Sequence, residues 1–279
     1  MDGSEKKVVD GFGKEWKRFS QRSNDTRNLS KDLEQGFRSY FKIFPWNKVT
    51  NNSVGFDLGC GSGRWAIYIA PKVKKLICVD PSNDALEIAK KNLSNFNNCE
   101  FYNEAAESLS IEDNSMDFGY CLGVLHHTLN PQMGIKEATK KLKKNAPFLI
   151  YLYYALDDKP LLYKIIFKVS VPIRKIIANL PFFLKILICD VIALLVYFPL
   201  SRLARLFNFL GIETKNFPLS HYANVSIYTL RTDSLDRFGT SIEHRFTKEQ
   251  IREMLENSDL HSIVFSDNAP FWCAIGYKK

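Results

Sequence analysis

The chain has 279 residues, of which 46% are hydrophobic and 24% are charged, a balance that is ordinary for a globular protein and excludes intrinsic disorder. Its formal net charge is +8. Residues 159–205 contain eight cations and one acid, so most of this charge lies in one segment and the rest of the chain is nearly neutral. Because these cations alternate with aliphatic residues, we expect no nucleic-acid partner.

The six cysteines are scattered and form no CxxC pair, so we expect free thiols and no metal site. Residues 1–13 contain no apolar stretch of the kind found in signal peptides. The longest charge-free stretch of the basic segment, residues 191–201, is shorter than the ~20 residues that span a bilayer. These patterns predict a cytoplasmic protein without a transmembrane helix.

Residues 1–50 are mixed and polar, with aromatic residues at irregular spacing, and predict helices that pack onto another part of the chain. A lid over a ligand, formed around Phe12 and Trp16, and ordinary helix packing both remain open.

Short apolar segments alternate with amphipathic segments in residues 51–153. Strand–helix alternation at this spacing indicates βαβ units and a parallel sheet. The predicted strands are 54–58, 76–79, 99–103, 118–122 and 148–153, and the predicted helices are 64–70, 84–92 and 131–143.

Residues 154–223 break this alternation, because they are rich in Leu, Ile and Phe and contain five prolines that predict several short helices. Residues 224–279 return to α/β texture, with a capping box at Thr247–Gln250 and closing strands at 263–265 and 272–277. The prediction is an α/β, Rossmann-like, doubly wound sheet of seven mostly parallel strands, with a helical cap inserted after the fifth strand.

A glycine-rich turn, Asp57-Leu-Gly-Cys-Gly-Ser-Gly63, follows the first predicted strand and opens a helix. Such a turn lets the backbone adopt positive φ and approach a ligand closely, and the helix that follows offers free N–H groups. Asp80 closes the second predicted strand, where a carboxylate can accept both hydroxyls of a ribose. The combination predicts a nucleoside-cofactor site.

Two cofactor classes fit this site. Dinucleotide sites favour G-x-G-x-x-G, whereas the spacing here is G-x-G-x-G, and Asp57 would repel a pyrophosphate but suits a ligand with an amino group. The segment resembles motif I of the class I S-adenosylmethionine-dependent methyltransferases. Residues 107–117 and 122–128 resemble the family's stretches around the fourth strand, most like its small-molecule and lipid-quinone branch. A nicotinamide-dependent oxidoreductase remains the first alternative.

The resemblance implies S-adenosylmethionine as cofactor, S-adenosylhomocysteine as product, and a set of cofactor-binding positions. Where the family often has an acid, this chain has Ala105, so the resemblance implies adenine recognition that rests more on backbone groups. The implied cofactor-binding residues are Asp57, Gly59, Gly61, Gly63, Asp80, Pro81, Ala106, Glu107, Leu122 and Gly123.

Methyl transfer to a hydroxyl benefits from a general base, and histidine is the usual choice near neutral pH. His126 and His127 follow the fourth predicted strand, at the sheet edge where open α/β sheets bind ligands. We expect one of them, with His127 ahead, to act as the base, although a structural role in the loop is open for both.

Two further functions stay open in the second half of the chain. Polar residues after the basic segment are candidates to line an acceptor pocket, or else form a solvated loop; they are Tyr222, Arg231, Asp233 and His244. Residues 159–205 have the composition of an amphipathic helix at a membrane interface, but we favour a helical cap whose apolar side covers the acceptor or a dimer partner. The resulting expectation is a methyltransferase acting at oxygen on a small or amphiphilic acceptor. A non-catalytic, membrane-associated cofactor-binding protein is the second alternative.

Overall fold

The computed structural model describes residues 2–21, 27–156, 160–214 and 217–279. Within them, seven strands form one sheet in the order β3-β2-β1-β4-β5-β7-β6. The strands are β1 (Val54–Leu58), β2 (Lys75–Val79), β3 (Cys99–Tyr102), β4 (Phe118–Leu122), β5 (Pro147–Tyr151), β6 (Leu260–Phe265) and β7 (Cys273–Lys278).

Strands β1 to β5 pair in parallel, and β7 pairs antiparallel with both β5 and β6. The predicted sheet of seven mostly parallel strands is therefore confirmed. Because β1 lies between β2 and β4, the chain crosses the sheet in opposite directions on either side of β1. In open α/β sheets a crevice forms at this point, outside the carboxyl ends of the strands.

The helices in the described residues alternate with the strands in the first half of the chain and then form a run of their own. They are α1 (Gly3–Arg18), α2 (Arg27–Tyr40), α3 (Ala66–Ile69), α4 (Asn83–Asn92), α5 (Pro131–Lys141), α6 (Leu161–Ala178), α7 (Phe182–Ile192), α8 (Phe198–Phe209), α9 (Ile227–Gly239) and α10 (Lys248–Glu256). The capping box predicted at Thr247 is present at the start of α10.

The core of the sheet consists of two hydrophobic clusters, because successive strand residues point to opposite faces. Phe56 and Phe148 belong to one cluster, and Phe118 and Tyr120 belong to the other. All four side chains are fully buried. Every residue of β4 and β5 is buried, as expected for central strands covered on both faces.

The chain divides into two compact units. The first comprises the described parts of residues 1–22, 33–155 and 242–279, and contains the whole sheet. The second comprises the described parts of 23–32 and 156–241. Helix α9 belongs to the second unit, which ends at residue 241, whereas the sequence pattern placed the end of the cap at residue 223.

The second unit corrects two expectations about the insertion. Pro172 lies inside α6, and Pro199 lies in the first turn of α8, so neither proline separates two helices. Helix α7 continues through a π-helical turn at Ala193–Tyr197 into α8. A proline is tolerated in a first turn, where the missing N–H would have had no intrahelical partner.

The continuous helix Phe182–Phe209 also overturns the expectation that no segment is long enough to span a bilayer. By length and composition alone this helix could cross a membrane, and 17% of its most apolar window is buried in the protein. The charge-free stretch 191–201 underestimates the length of this helix, because the helix also includes the charged residues Lys185 and Asp190. Length and composition do not place it in a membrane.

Candidate functional site

A cleft lies in the first unit at the carboxyl ends of β1, β2 and β4. It encloses roughly 930 Å³ of space, open solvent at its mouth included. Its lining comes from α1, the glycine loop and the loops after β2, β3 and β4. The residues that line the cleft include Glu5, Val8, Phe12, Trp16, Gly59, Gly61, Arg64, Asp80, Pro81, Ala106, Glu107, Leu122, Gly123 and His127.

The glycine loop needs glycine for two separate reasons at Gly61. Its φ is +54°, in the left-handed region, and a Cβ built there would lie 2.9 Å from the Trp16 ring. Gly59 has φ +75°, and a Cβ there would lie 2.3 Å from Val124. Gly63 does not line the cleft; a Cβ there would lie 3.0 Å from Leu93, so this glycine allows the loop to pack on the first unit's core.

Asp80 holds the glycine loop to the end of β2. Its Oδ2 accepts the backbone N–H of Gly61 and its Oδ1 accepts the backbone N–H of Ser82, each at 2.9 Å. Burial raises the pKa of Asp80 to about 6, although these two backbone hydrogen bonds act in the opposite direction. Each carboxylate oxygen keeps a further lone pair, so Asp80 can also accept hydroxyl groups from a ligand in the cleft.

Asp57 lies behind the loop and is not part of the lining, with 2% of its surface exposed. Burial raises its pKa to about 8. The nearby Tyr120 hydroxyl lowers this pKa, and the negative charge of Asp80 raises it. Asp57 therefore does not face the cleft directly, and its role toward a ligand stays a prediction.

The residues that the resemblance places near the adenine, Pro81, Ala106 and Glu107, line the cleft. Leu122 and Gly123 at the end of β4, which the resemblance places under the methionine part of the cofactor, line it as well. Oε1 of Glu107 is buried and has no hydrogen-bond partner among the described residues. Burial raises the pKa of Glu107, and the nearby charge of Glu5 adds to this. An unpartnered buried oxygen in a cleft is suited to an amino or hydroxyl group of a ligand.

The two histidines after β4 have different surroundings. His127 lines the cleft, and its Nδ1 lies 2.7 Å from the carbonyl oxygen of Ile242. His126 is fully buried and is not among the lining residues; its ring stacks on Tyr153 with centroids 3.8 Å apart. The structure therefore brings His127 to the predicted cofactor residues and places His126 behind them.

Helix α1 supplies a wall of the cleft that the sequence pattern left open. Val8, Phe12 and Trp16 lie one helical turn apart and line one side of the cleft. The guanidinium of Arg64 lies 5.2 Å from the Trp16 ring. Phe12 packs against His127 with ring centroids 5.1 Å apart. The spacing of these apolar residues was the available signal, but spacing alone does not say what a helix covers.

The predicted acceptor residues are not among those that line this cleft. In the second unit, the Tyr222 hydroxyl donates to Asp233 at 2.7 Å, and Arg231 forms two hydrogen bonds of 2.8 Å with Asp190. In the first unit, the backbone N–H of His244 donates to the carbonyl oxygen of His126. Their role toward an acceptor stays a prediction.

Part of the chain is similar in sequence to known methyltransferases. Residues 56–150 match the methyltransferase-domain family Methyltransf_11. An "uncharacterized methyltransferase", YcgJ of Bacillus subtilis, is 31% identical over 104 residues, which are 37% of this chain and 41% of that protein. A "probable cobalt-precorrin-6B C(15)-methyltransferase (decarboxylating)" of Methanobrevibacter smithii is 29% identical over 119 residues, 34% of this chain and 64% of that protein. The chain thus spans less than two thirds of either relative.

Similarity to solved structures supports the fold. The crystal structure of "a putative methyltransferase" from Bacillus halodurans superposes with a TM-score of 0.51 at 16% identity, covering 82% of this chain and 71% of that one. The matched residues contain the glycine loop, Asp80 and the end of β4. This match and the fold are consistent with a class I methyltransferase, and they support S-adenosylmethionine as the methyl donor.

Proposed function

We propose that the protein transfers a methyl group from S-adenosylmethionine to an oxygen atom of a small or amphiphilic acceptor, with His127 as the general base. The observation that carries this proposal is the position of His127 in the same cleft as Gly61 and Asp80. When bound, S-adenosylmethionine supplies an activated methyl group on a sulfonium. The residues of the cleft have to bind it, exclude water and accept a proton.

The residues of the cleft fit the cofactor. Asp80 has acceptor capacity left for ribose hydroxyls beyond its bonds to Gly61 and Ser82. The absence of a side chain at Gly61 leaves room beside Trp16. The unpartnered Oε1 of Glu107 gives the far side of the cleft an acceptor for an N–H or O–H group.

The hydrogen bond of His127 defines its tautomer. Because the atom that Nδ1 contacts is a carbonyl oxygen, which can only accept, Nδ1 carries the hydrogen, and in the neutral ring the lone pair is then on Nε2. An acceptor hydroxyl that received the methyl group would have to lose its proton. His127 Nε2 takes this proton, and the Ile242 carbonyl oxygen stabilises the resulting cation.

Helix α1 closes the cleft with apolar side chains. Val8, Phe12 and Trp16 replace water along this wall, which favours displacement at carbon over loss of the methyl group to solvent. The same apolar wall favours an acceptor with an apolar body and one hydroxyl group. The proposal includes a cytoplasmic location, where the protein would meet amphiphilic acceptors.

The two alternative functions differ from this proposal in measurable ways. The nicotinamide-dependent oxidoreductase requires binding of NAD, and the family match gives it no support. The non-catalytic alternative requires cofactor binding without turnover of any acceptor.

The test is methyl transfer from radiolabelled S-adenosylmethionine to a panel of phenols, quinols and hydroxylated amphiphiles. We expect His127→Asn to lower kcat by about 10²–10⁴, because general-base catalysis contributes that much, while S-adenosylhomocysteine affinity changes less than about threefold. The matched control is His261→Asn, because His261 is a partly exposed residue of strand β6. This variant should keep the kcat of the wild type. Full turnover by His127→Asn would exclude His127 as the base.

A further inference from the structure

Exposed apolar side chains are concentrated in the second unit. Among the described residues, 18 of the 22 large hydrophobic side chains that remain exposed lie between residues 161 and 212. Single exposed hydrophobic residues are common, but a contiguous set on adjacent helices marks an interaction surface.

Helix α6 presents an apolar face outward. Leu161, Ile165, Val169, Ile173 and Ile176 recur at intervals of three and four residues, which places them on one side of the helix. Leu161 is 74% exposed and Ile176 is 66% exposed. The buried residues Ile177 and Ala178 face the interior of the unit instead.

Lysines border this apolar face. Lys168 and Lys175 are exposed and are separated by seven residues, so they lie two turns apart along the same line of the helix. At about 100° per residue, this line runs along one edge of the stripe that contains Leu161 and Ile165. An apolar stripe with cations along its edge is the geometry of a helix that lies in a membrane interface.

The long helix Phe182–Phe209 adds a second apolar face. Phe183, Leu187 and Leu195 are exposed on it, Leu195 by 73%. Arg205 is exposed near its carboxyl end. The exposed faces of α6 and of this helix, together with Lys168, Lys175 and Arg205, are called the apolar-basic surface below.

The other side of the long helix packs against the rest of the second unit. Lys185 Nζ donates to the carbonyl oxygen of Gly239 at 3.0 Å, and Asp190 pairs with Arg231 of α9. Arg202 donates to the carbonyl oxygens of Ala223 and Val225. A helix with one packed, charge-bearing side cannot be surrounded by lipid, because charged groups in the bilayer interior are costly. It can lie in the interface with its apolar side toward the acyl chains.

We propose that the apolar-basic surface docks the protein on an anionic lipid bilayer, with α6 and the Phe182–Phe209 helix lying in the interface and not crossing it. Lipid fits better than a second copy of the chain because the surface is basic. Residues 161–212 contain one acid, Asp190, and Arg231 neutralises it. Two copies of this surface would repel each other, whereas anionic headgroups complement it. The inference does not depend on the proposed methyl transfer.

The charge contribution is tested by sedimentation of the full-length protein with phosphatidylcholine vesicles, with and without phosphatidylglycerol. We expect binding to the anionic vesicles that weakens at high salt. Lys168→Gln with Lys175→Gln should weaken it by about 25-fold, because each interfacial lysine contributes about fivefold. Lys42→Gln with Lys136→Gln changes two exposed lysines of the first unit and should leave binding unchanged.

The apolar contribution is tested with Ile176→Asn and Leu195→Asn, which replace exposed side chains. Both should weaken vesicle binding, whereas Val264→Asn, at an exposed apolar residue of β6, should not. Calorimetric binding of S-adenosylhomocysteine and thermal unfolding report whether each variant is folded, independently of turnover.

Three outcomes would overturn the proposal. The first is that folded surface variants bind anionic vesicles as tightly as the wild type does, or that the wild type does not bind them. The second is a dimer in sedimentation equilibrium that Ile176→Asn dissociates while vesicles bind neither form, which would assign the surface to a second copy. The third is retention of the protein in vesicles after an alkaline carbonate wash, which would indicate a spanning helix.

Discussion

The backbone N–H of Gly61 donates to Asp80 Oδ2 across 2.9 Å and joins the glycine loop after β1 to the end of β2. The bond holds the glycine loop in place. The same carboxylate keeps lone pairs that can accept hydroxyl groups from a ligand. The conformation of the glycine loop and the proposed recognition of a ribose would therefore both depend on the buried carboxylate of Asp80.

Asp80→Asn should separate cofactor binding from folding. The amide keeps the shape of the carboxylate but loses charge-assisted hydrogen bonds, each of which contributes about 1.5–3 kcal/mol. We expect the Kd for S-adenosylhomocysteine to rise about 10- to 100-fold by titration calorimetry. Asp267→Asn, at an exposed loop position, is the matched control and should bind like wild type.

Cofactor affinity should depend on pH between 5 and 7. The proposed acceptance of ribose hydroxyls requires the carboxylate form of Asp80, and a pKa of about 6 makes this form scarce at pH 5. The Kd for S-adenosylhomocysteine should be about tenfold higher at pH 5 than at pH 7, with protons released on binding near pH 5. Calorimetry in two buffers of different ionisation enthalpy measures both, and Asp80→Asn should abolish this part of the dependence. A flat profile in wild type would contradict it.

Asp57 should make the unliganded protein less stable as pH rises. The unfolded carboxyl group loses its proton near 3.8, whereas the folded group keeps its proton until about pH 8. Between these values the unfolded chain binds fewer protons than the folded chain, so the free energy of unfolding falls with increasing pH. Asp57→Asn, which stays neutral, should reduce this fall and be more stable than wild type at pH 8. Urea unfolding at pH 5, 6.5 and 8 measures the difference, and parallel curves for both proteins would refute the role of Asp57.

Two glycines of the first unit should respond oppositely to alanine. Gly61→Ala introduces a Cβ 2.9 Å from Trp16 at a residue with positive φ, which should cost about 1–3 kcal/mol and weaken S-adenosylhomocysteine binding. At Gly11, inside α1, a Cβ meets no atom within 4 Å, so Gly11→Ala should stabilise the protein by about 0.5–1 kcal/mol. Thermal unfolding and calorimetry distinguish the two, and equal effects would argue against the role of the loop geometry.

The sheet, and the position of the glycine loop and Asp80 in one cleft, were predictable from sequence because local signals specify them. Apolar strands alternate with helices, the glycine turn requires a particular backbone, and Asp80 ends its strand at the correct edge. The wall formed by Phe12 and Trp16 was not predictable, because helix spacing shows an apolar face but not the surface that the face covers.

The second unit shows the same limit. Prolines suggested helix ends, but Pro172 and Pro199 are accommodated within helical segments. The pairing of Arg231 with Asp190 joins residues 41 positions apart, so no local pattern could reveal that this arginine has an ion-pair partner.

The most direct test of the central claim compares S-adenosylhomocysteine with NAD in calorimetric titrations of wild-type protein and Asp80→Asn. The account predicts saturable binding of S-adenosylhomocysteine to wild type, weakened at least about tenfold in Asp80→Asn, and no measurable binding of NAD. Binding of NAD without binding of S-adenosylhomocysteine would contradict it.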